Sequence, residues 1–150
     1  MSVENLSEDF YGAHAQRYAQ VTHEFIQSVY TKTSHPGLTS DLDLMVRLKD
    51  LIPPGGRGLD AGCGAGARDV FYYWRDGYDI VGVDVVEENI RVARENHPEI
   101  ADRVSVADLS KPLDYSSASF DFVLCNAVIQ HIDPETVMGV TLPELARVLK

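Results

Sequence analysis

The stretch Gly58-Leu59-Asp60-Ala61-Gly62-Cys63-Gly64-Ala65-Gly66 constrains the fold more than any other part of the chain. Glycines at this density let a backbone turn sharply and approach a ligand with no Cβ in the way, as in the strand-to-helix turn of nucleotide-binding βαβ units. In a dinucleotide site the group held at that turn is a pyrophosphate anion, attracted by helix N-terminal N–H groups and the helix dipole. Asp60, which leads into the turn, would repel an anion. The charge therefore favours a cationic ligand.

Gly62, Gly64 and Ala67 also satisfy the dinucleotide pattern G-x-G-x-x-G/A, so the glycines alone decide little, and packing could by itself demand them. Context carries more weight. Pro53-Pro54-Gly55-Gly56 ends one helix before the turn, residues 68–74 follow it with apolar side chains at helical spacing, and Gly77 stands where a helix C-terminal glycine belongs. Asp79-Ile80-Val81-Gly82-Val83-Asp84 is then a β-branched strand ending in an acid. An acid about 20 residues beyond the glycine turn suits the vicinal hydroxyls of a ribose, since a carboxylate can accept two hydrogen bonds from the diol. Capping of the helix that begins at Glu87 is the plainer role open to Asp84. S-adenosylmethionine, with an ammonium and a sulfonium beside one carboxylate, meets both the charge of Asp60 and the diol requirement.

Further elements alternate as an α/β chain does. Ser40-Asp41-Leu42-Asp43 resembles a capping box, with Leu44, Leu48 and Leu51 following at helical spacing. Residues 87–96 begin with acids and stop before Pro98, as a crossover helix would. Residues 103–106 and 120–124 supply a third and a fourth strand, and the alternation predicts a parallel sheet.

The series Leu59 to Gly66, then Val81-Gly82-Val83-Asp84, then Val106-Ala107-Asp108-Leu109, then residues 119–126 ending in Asn126, resembles the ordered motifs of class I S-adenosylmethionine-dependent methyltransferases over roughly residues 40 to 150. The resemblance implies a Rossmann-like doubly wound sheet of order 3-2-1-4. It implies that Asp60 faces the methionyl ammonium, with Gly62, Gly64 and Gly66 around the methionine moiety. Asp84 would hold the ribose and Val85 pack on the adenine; Asp108 would accept from the adenine amino group, with Leu109 beside the ring, and Asn126 would line the transfer site. Residues 10–18 resemble the aromatic segment that folds over the cofactor in many small-molecule members, which makes Tyr11 and Tyr18 candidates for the methionyl carboxylate or the substrate. Their i, i+7 spacing fits equally a helix whose aromatics simply pack on the domain. The expected organisation is a helical cap segment over residues 1–38 and a cofactor-binding domain over 39–150.

His131 is the only histidine near the expected transfer site and could take a proton from the acceptor at neutral pH. A solvated loop histidine or a cap is its plainer reading, while Asp133 should cap the next helix with Pro134 in its first turn. No Asn-Pro-Pro-Tyr type tetrad follows the fourth strand, since Asn126 precedes Ala127-Val128-Ile129, which argues against transfer to the amino groups of adenine or glutamine. A small-molecule methyl acceptor is expected. A nicotinamide-dependent oxidoreductase and a non-catalytic cofactor-binding module are the alternatives.

A net charge of −10 disfavours a general grip on nucleic acid. Cys63 and Cys125 are too few and too far apart for a zinc pattern, and His14, His23, His35, His97 and His131 show no metal-binding helical spacing, so no metal is expected. The absence of a basic-then-apolar leader and of a membrane-length apolar run predicts a cytoplasmic protein with no membrane partner. The resemblance breaks at Arg147-Val148-Leu149-Lys150, where family members run on through a Pro-Gly-Gly turn into three more strands. The fourth strand, apolar from Phe122 to Ile129, would then be an uncovered edge. The expectation is a piece of a longer chain, or a homo-oligomer in which another copy completes the sheet.

Overall fold

The computed structural model describes residues 3–28 and 41–150. Helix α1 (Val3–Ser28) precedes α2 (Asp41–Lys49), and the sheet units follow: β1 (Arg57–Ala61), α3 (Arg68–Arg75), β2 (Asp79–Asp84), α4 (Glu87–Asn96), β3 (Val104–Val106) and β4 (Phe122–Leu124). A 3-10 turn at Ile129–His131 leads to α5 (Pro134–Thr136), which runs through a π-helical stretch at Val137–Thr141 into α6 (Leu142–Val148). The described strands form one sheet in the order β3-β2-β1-β4, and every pairing is parallel. This is the expected Rossmann-like order. The chain steps outward from β1 to β3 and returns to β4, so the carboxyl ends of β1 and β4 flank a topological switch point, where open α/β sheets bind ligands.

Burial on both faces follows from the strand alternation. On one face Val70 and Tyr73 of α3 and Ile90 and Ala93 of α4 pack over Ile80, Val104 and Phe122. On the other, Leu145 and Val148 of α6 pack on Leu59, Ala61 and Val83. Gly58 opposes Phe122 across the β1–β4 pairing, and a Cβ there would lie 2.2 Å from the Phe122 ring, so this glycine is fixed by packing. A third, small cluster docks α1: Ala15 and Ala19 are buried against Ala65 of the glycine turn and Val92 of α4. Helix α1 bends at His14, whose backbone (φ −122°, ψ 15°) leaves the helical region.

Several boundaries differ from expectation. Strand β3 starts at Val104 and β4 at Phe122, because ladder pairing reaches only those residues. The apolar run after β4 does not stay extended as far as Ile129: β4 ends at Leu124 and the run folds into the 3-10 turn. Its outer side is not bare at the start either. Phe120 forms a parallel bridge with Leu149, and its N–H and C=O bond Val148 O and Lys150 N at 3.0 and 2.9 Å. Leu51, expected to continue the helical spacing of Leu44 and Leu48, lies past the end of α2 and is 82% exposed. Ser40 of the capping box, and the 38/39 boundary, lie outside the described residues.

Candidate cofactor and transfer site

A cavity of about 450 Å³ opens at the switch point. Its floor is the turn after β1. There Gly62 and Cys63 both donate backbone N–H groups to Val83 O, at 2.8 and 2.9 Å, which folds the turn over the end of β2. Gly62 and Gly64 take positive φ (95° and 64°) for different reasons. A Cβ on Gly62 would meet Val128 Cγ2 at 2.2 Å, whereas one on Gly64 would have nothing within 4 Å and would stand in the cavity.

Carboxylates surround this floor. Asp60 is buried, and burial first, then Asp69 and Asp84, push its pKa well above the usual carboxylate range despite Arg68. Asp69, buried in the first turn of α3, is paired with Arg68 at 2.5 Å and accepts from Asn126 Nδ2 at 2.9 Å. Asp84 ties three elements together: it accepts from Gly64 N and Val86 N, both at 2.9 Å, and from Asn89 Nδ2 at 3.1 Å. Asn89 is buried, and its Oδ1 has no partner among the described residues. Asp108 accepts from Ser110 N and pairs with Lys111, each at 2.9 Å; burial works against these contacts, but they hold its pKa below the ordinary value. Cys63 and Cys125 are free thiols whose pKa values are raised by burial and by Asp60, that of Cys125 to about 11, so both stay protonated at neutral pH.

The roof comes from α1 and the segment after β4. Tyr11 makes edge contacts with Tyr18 and with His131, at centroid distances of 5.1 and 5.3 Å. Its hydroxyl lies 3.3 Å from His131 Nε2, and Ser7 Oγ lies 3.4 Å from Nδ1. Asp133 caps α5 by accepting from Glu135 N and Thr136 N.

Every candidate cofactor-binding or catalytic residue named from the sequence lines this one cavity: Asp60, Gly62, Gly64 and Gly66 at the floor, Asp84 at the end of β2 with Val85 after it, Asp108 and Leu109 beyond β3, Asn126 and His131 beyond β4, and Tyr11 and Tyr18 above. Asp69, Asn89 and Ser7 line it too and were not foreseen. An acid in the first turn of the helix after the glycines was the available signal for Asp69. Nothing separated Asn89 from other polar residues of α4. Among the described residues no group of three or more His, Cys, Asp or Glu is placed to hold a metal, and no helix is long and apolar enough to cross a membrane.

Residues 59–150 match the model of a family described as the methyltransferase domain. Over 79 residues the chain is 34% identical to the mitochondrial ubiquinone biosynthesis O-methyltransferase of Mus musculus, an alignment covering 49% of this chain and 21% of that protein. A TehB-like SAM-dependent methyltransferase from Corynebacterium glutamicum superposes with a TM-score of 0.69 at 28% identity, over 91% of this chain and 67% of that one. A SAM-dependent methyltransferase described from Methanococcus maripaludis shares the fold at 14% identity, with a TM-score of 0.69 over 93% of this chain and 59% of its own. The chain thus spans about a fifth of the curated relative. It belongs to the methyltransferase domain family of class I S-adenosylmethionine-dependent enzymes.

Proposed function

We propose that this chain transfers a methyl group from S-adenosylmethionine to a small-molecule acceptor. The observation that carries the reading is the convergence, on one cavity at the switch point, of a glycine turn with open space at Gly64 and three acids placed at the ends of β1, β2 and β3. The cavity suits the cofactor in two further respects. A cationic group beside Asp60 would offset the crowding of Asp60, Asp69 and Asp84, and the unpartnered Asn89 Oδ1 offers an acceptor for a hydroxyl or N–H of the ligand.

In this reading Asp60 balances the methionyl ammonium, the Gly62–Gly66 turn lets the backbone close in, and Asp84 binds the ribose diol with Asn89 behind it. Val85 packs on the adenine with Leu109 beside the ring, and Asp108 accepts from its amino group. Asn126, oriented by Asp69, lines the transfer site together with His131. Bound there, the sulfonium supplies a methyl carbon already activated for displacement, and the chain's own work is alignment, exclusion of water and removal of the acceptor's proton. Residues 1–38 act as a cap on a domain of residues 39–150, with Tyr11 and Tyr18 brought over the cavity by α1. Two unpaired thiols suit a reducing compartment such as the cytoplasm. The outer side of β4 is the place for a further strand, from a longer chain or a second copy.

Parallel calorimetric titrations with S-adenosylhomocysteine and with NAD test the assignment. Binding of the first alone is expected; binding of NAD alone would move the chain to the oxidoreductase class.

A further inference from the structure

His131 cannot receive the acceptor's proton directly without first breaking a contact, because both of its ring nitrogens face hydroxyls of α1. Tyr11 OH lies at Nε2 and Ser7 Oγ at Nδ1. Both distances are at the long end of hydrogen bonding, and catalytic hydrogen bonds commonly shorten as a complex assembles. A neutral imidazole has one N–H donor and one bare nitrogen, and each is fixed by what the other meets. A phenol is a stronger acid than an alkyl hydroxyl and so the better donor. That ordering favours the tautomer in which Tyr11 donates to Nε2 and Nδ1–H donates to Ser7.

We propose that Tyr11 is the residue that touches the reacting acceptor, relaying its proton to His131, and that Ser7 sets the imidazole tautomer that makes this possible. The inference rests on the methyl-transfer reading. The acceptor heteroatom bonds to the methyl carbon as the carbon–sulfur bond of the donor breaks; its proton passes to the Tyr11 oxygen while the Tyr11 proton moves to His131 Nε2. The products are the methylated acceptor, a neutral thioether and an imidazolium, so charge and atoms balance. Two features suit Tyr11 to the part. Its ring is wedged between Tyr18 and His131, which limits where the hydroxyl can point. Burial first, then Tyr18 and Asp84, raise its pKa, so it remains a phenol able to donate as it accepts.

Long-range 1H–15N spectra of the histidine rings test the arrangement without an identified acceptor. They are recorded at about pH 8, above the usual imidazole pKa of about 6.5, on the free chain and with saturating S-adenosylhomocysteine. The His131 signals are assigned by their loss in His131→Asn. The expected result is a single tautomer, with Nδ1 at the protonated and Nε2 at the unprotonated shift. Tyr11→Phe should move Nε2, and Ser7→Ala should release the ring into averaged shifts. A wild-type His131 that is tautomer-averaged, carries its proton on Nε2, or ignores Tyr11→Phe overturns the relay. Failure of the chain to bind S-adenosylhomocysteine in calorimetry instead overturns the methyl-transfer reading, and the two failures are distinguishable.

Discussion

Replacing Gly62 and Gly64 each by alanine should separate two demands that one glycine turn hides. At Gly62 the new methyl would sit 2.2 Å from Val128 Cγ2 and 3.0 Å from Cγ1, on a backbone with φ +95°. Left-handed strain of about 1–3 kcal/mol adds to overpacking of about 1–3 kcal/mol, which makes roughly 2–6 kcal/mol of lost stability. At Gly64 the methyl meets nothing within 4 Å, so only the strain at φ +64° remains, about 1–2 kcal/mol. In urea, with a slope of about 2 kcal/mol/M, the midpoints should fall by about 1–3 M for Gly62→Ala and by about 0.5–1 M for Gly64→Ala. Affinity for S-adenosylhomocysteine should rank the other way, falling at least about tenfold, or about 1.4 kcal/mol, in the mildly destabilised Gly64→Ala, whose methyl stands in the cavity. Val128→Ala in the Gly62→Ala background should recover the overpacking part alone. Equal midpoints for the two variants with no recovery would refute the packing account of Gly62, and wild-type affinity in Gly64→Ala would refute the cavity account of Gly64.

Asp84→Ala should weaken S-adenosylhomocysteine binding about ten- to a hundredfold, matching about 1.5–3 kcal/mol for a charge-assisted contact; unchanged affinity by calorimetry would show that the ribose lies elsewhere. Asp60 predicts a pH effect whose sign follows from its raised pKa: ionisation in the fold is opposed by burial, Asp69 and Asp84, so its neutral form stabilises the empty site and that stability is lost as pH rises through the raised value. A bound ammonium favours the carboxylate, so in mildly acidic solution binding should release protons and tighten as pH rises. Titration heats that agree between two buffers of different ionisation enthalpy, or proton release that persists in Asp60→Asn, would contradict this.

The parts legible in the sequence were those where one residue type answers one local need. Glycines mark a sharp turn, β-branched runs mark strands, and an acid closing such a run marks a polar group at the sheet's end, so the turn at Asp60 and the acid at Asp84 could be read from the residues, while the order 3-2-1-4 and the cavity wall through Asp108 and Asn126 came from the resemblance to the family. What depended on distant partners could not. Strand limits are set by the neighbour in the ladder, which is why β4 stops at Leu124 while its apolar composition continues. Gly58 carries no local sign that its missing side chain makes room for Phe122, 64 positions later. The buried Asn89, and the approach of Ser7 and Tyr11 to His131, exist only once α4 and α1 have docked.

The docking of α1 through Ala15 and Ala19 has a kinetic meaning. Side chains this small remove little apolar surface from water, about 0.8 kcal/mol for each buried carbon, so the Ala15 and Ala19 methyls add only about 2 kcal/mol to the contacts that Tyr11 and Ser7 make with His131, far less than the two clusters packed on the sheet. The contacts that roof the site are thus distinct from those that build the sheet, so on the proposed function cofactor exchange through this seam would leave the strands that shape the site undisturbed.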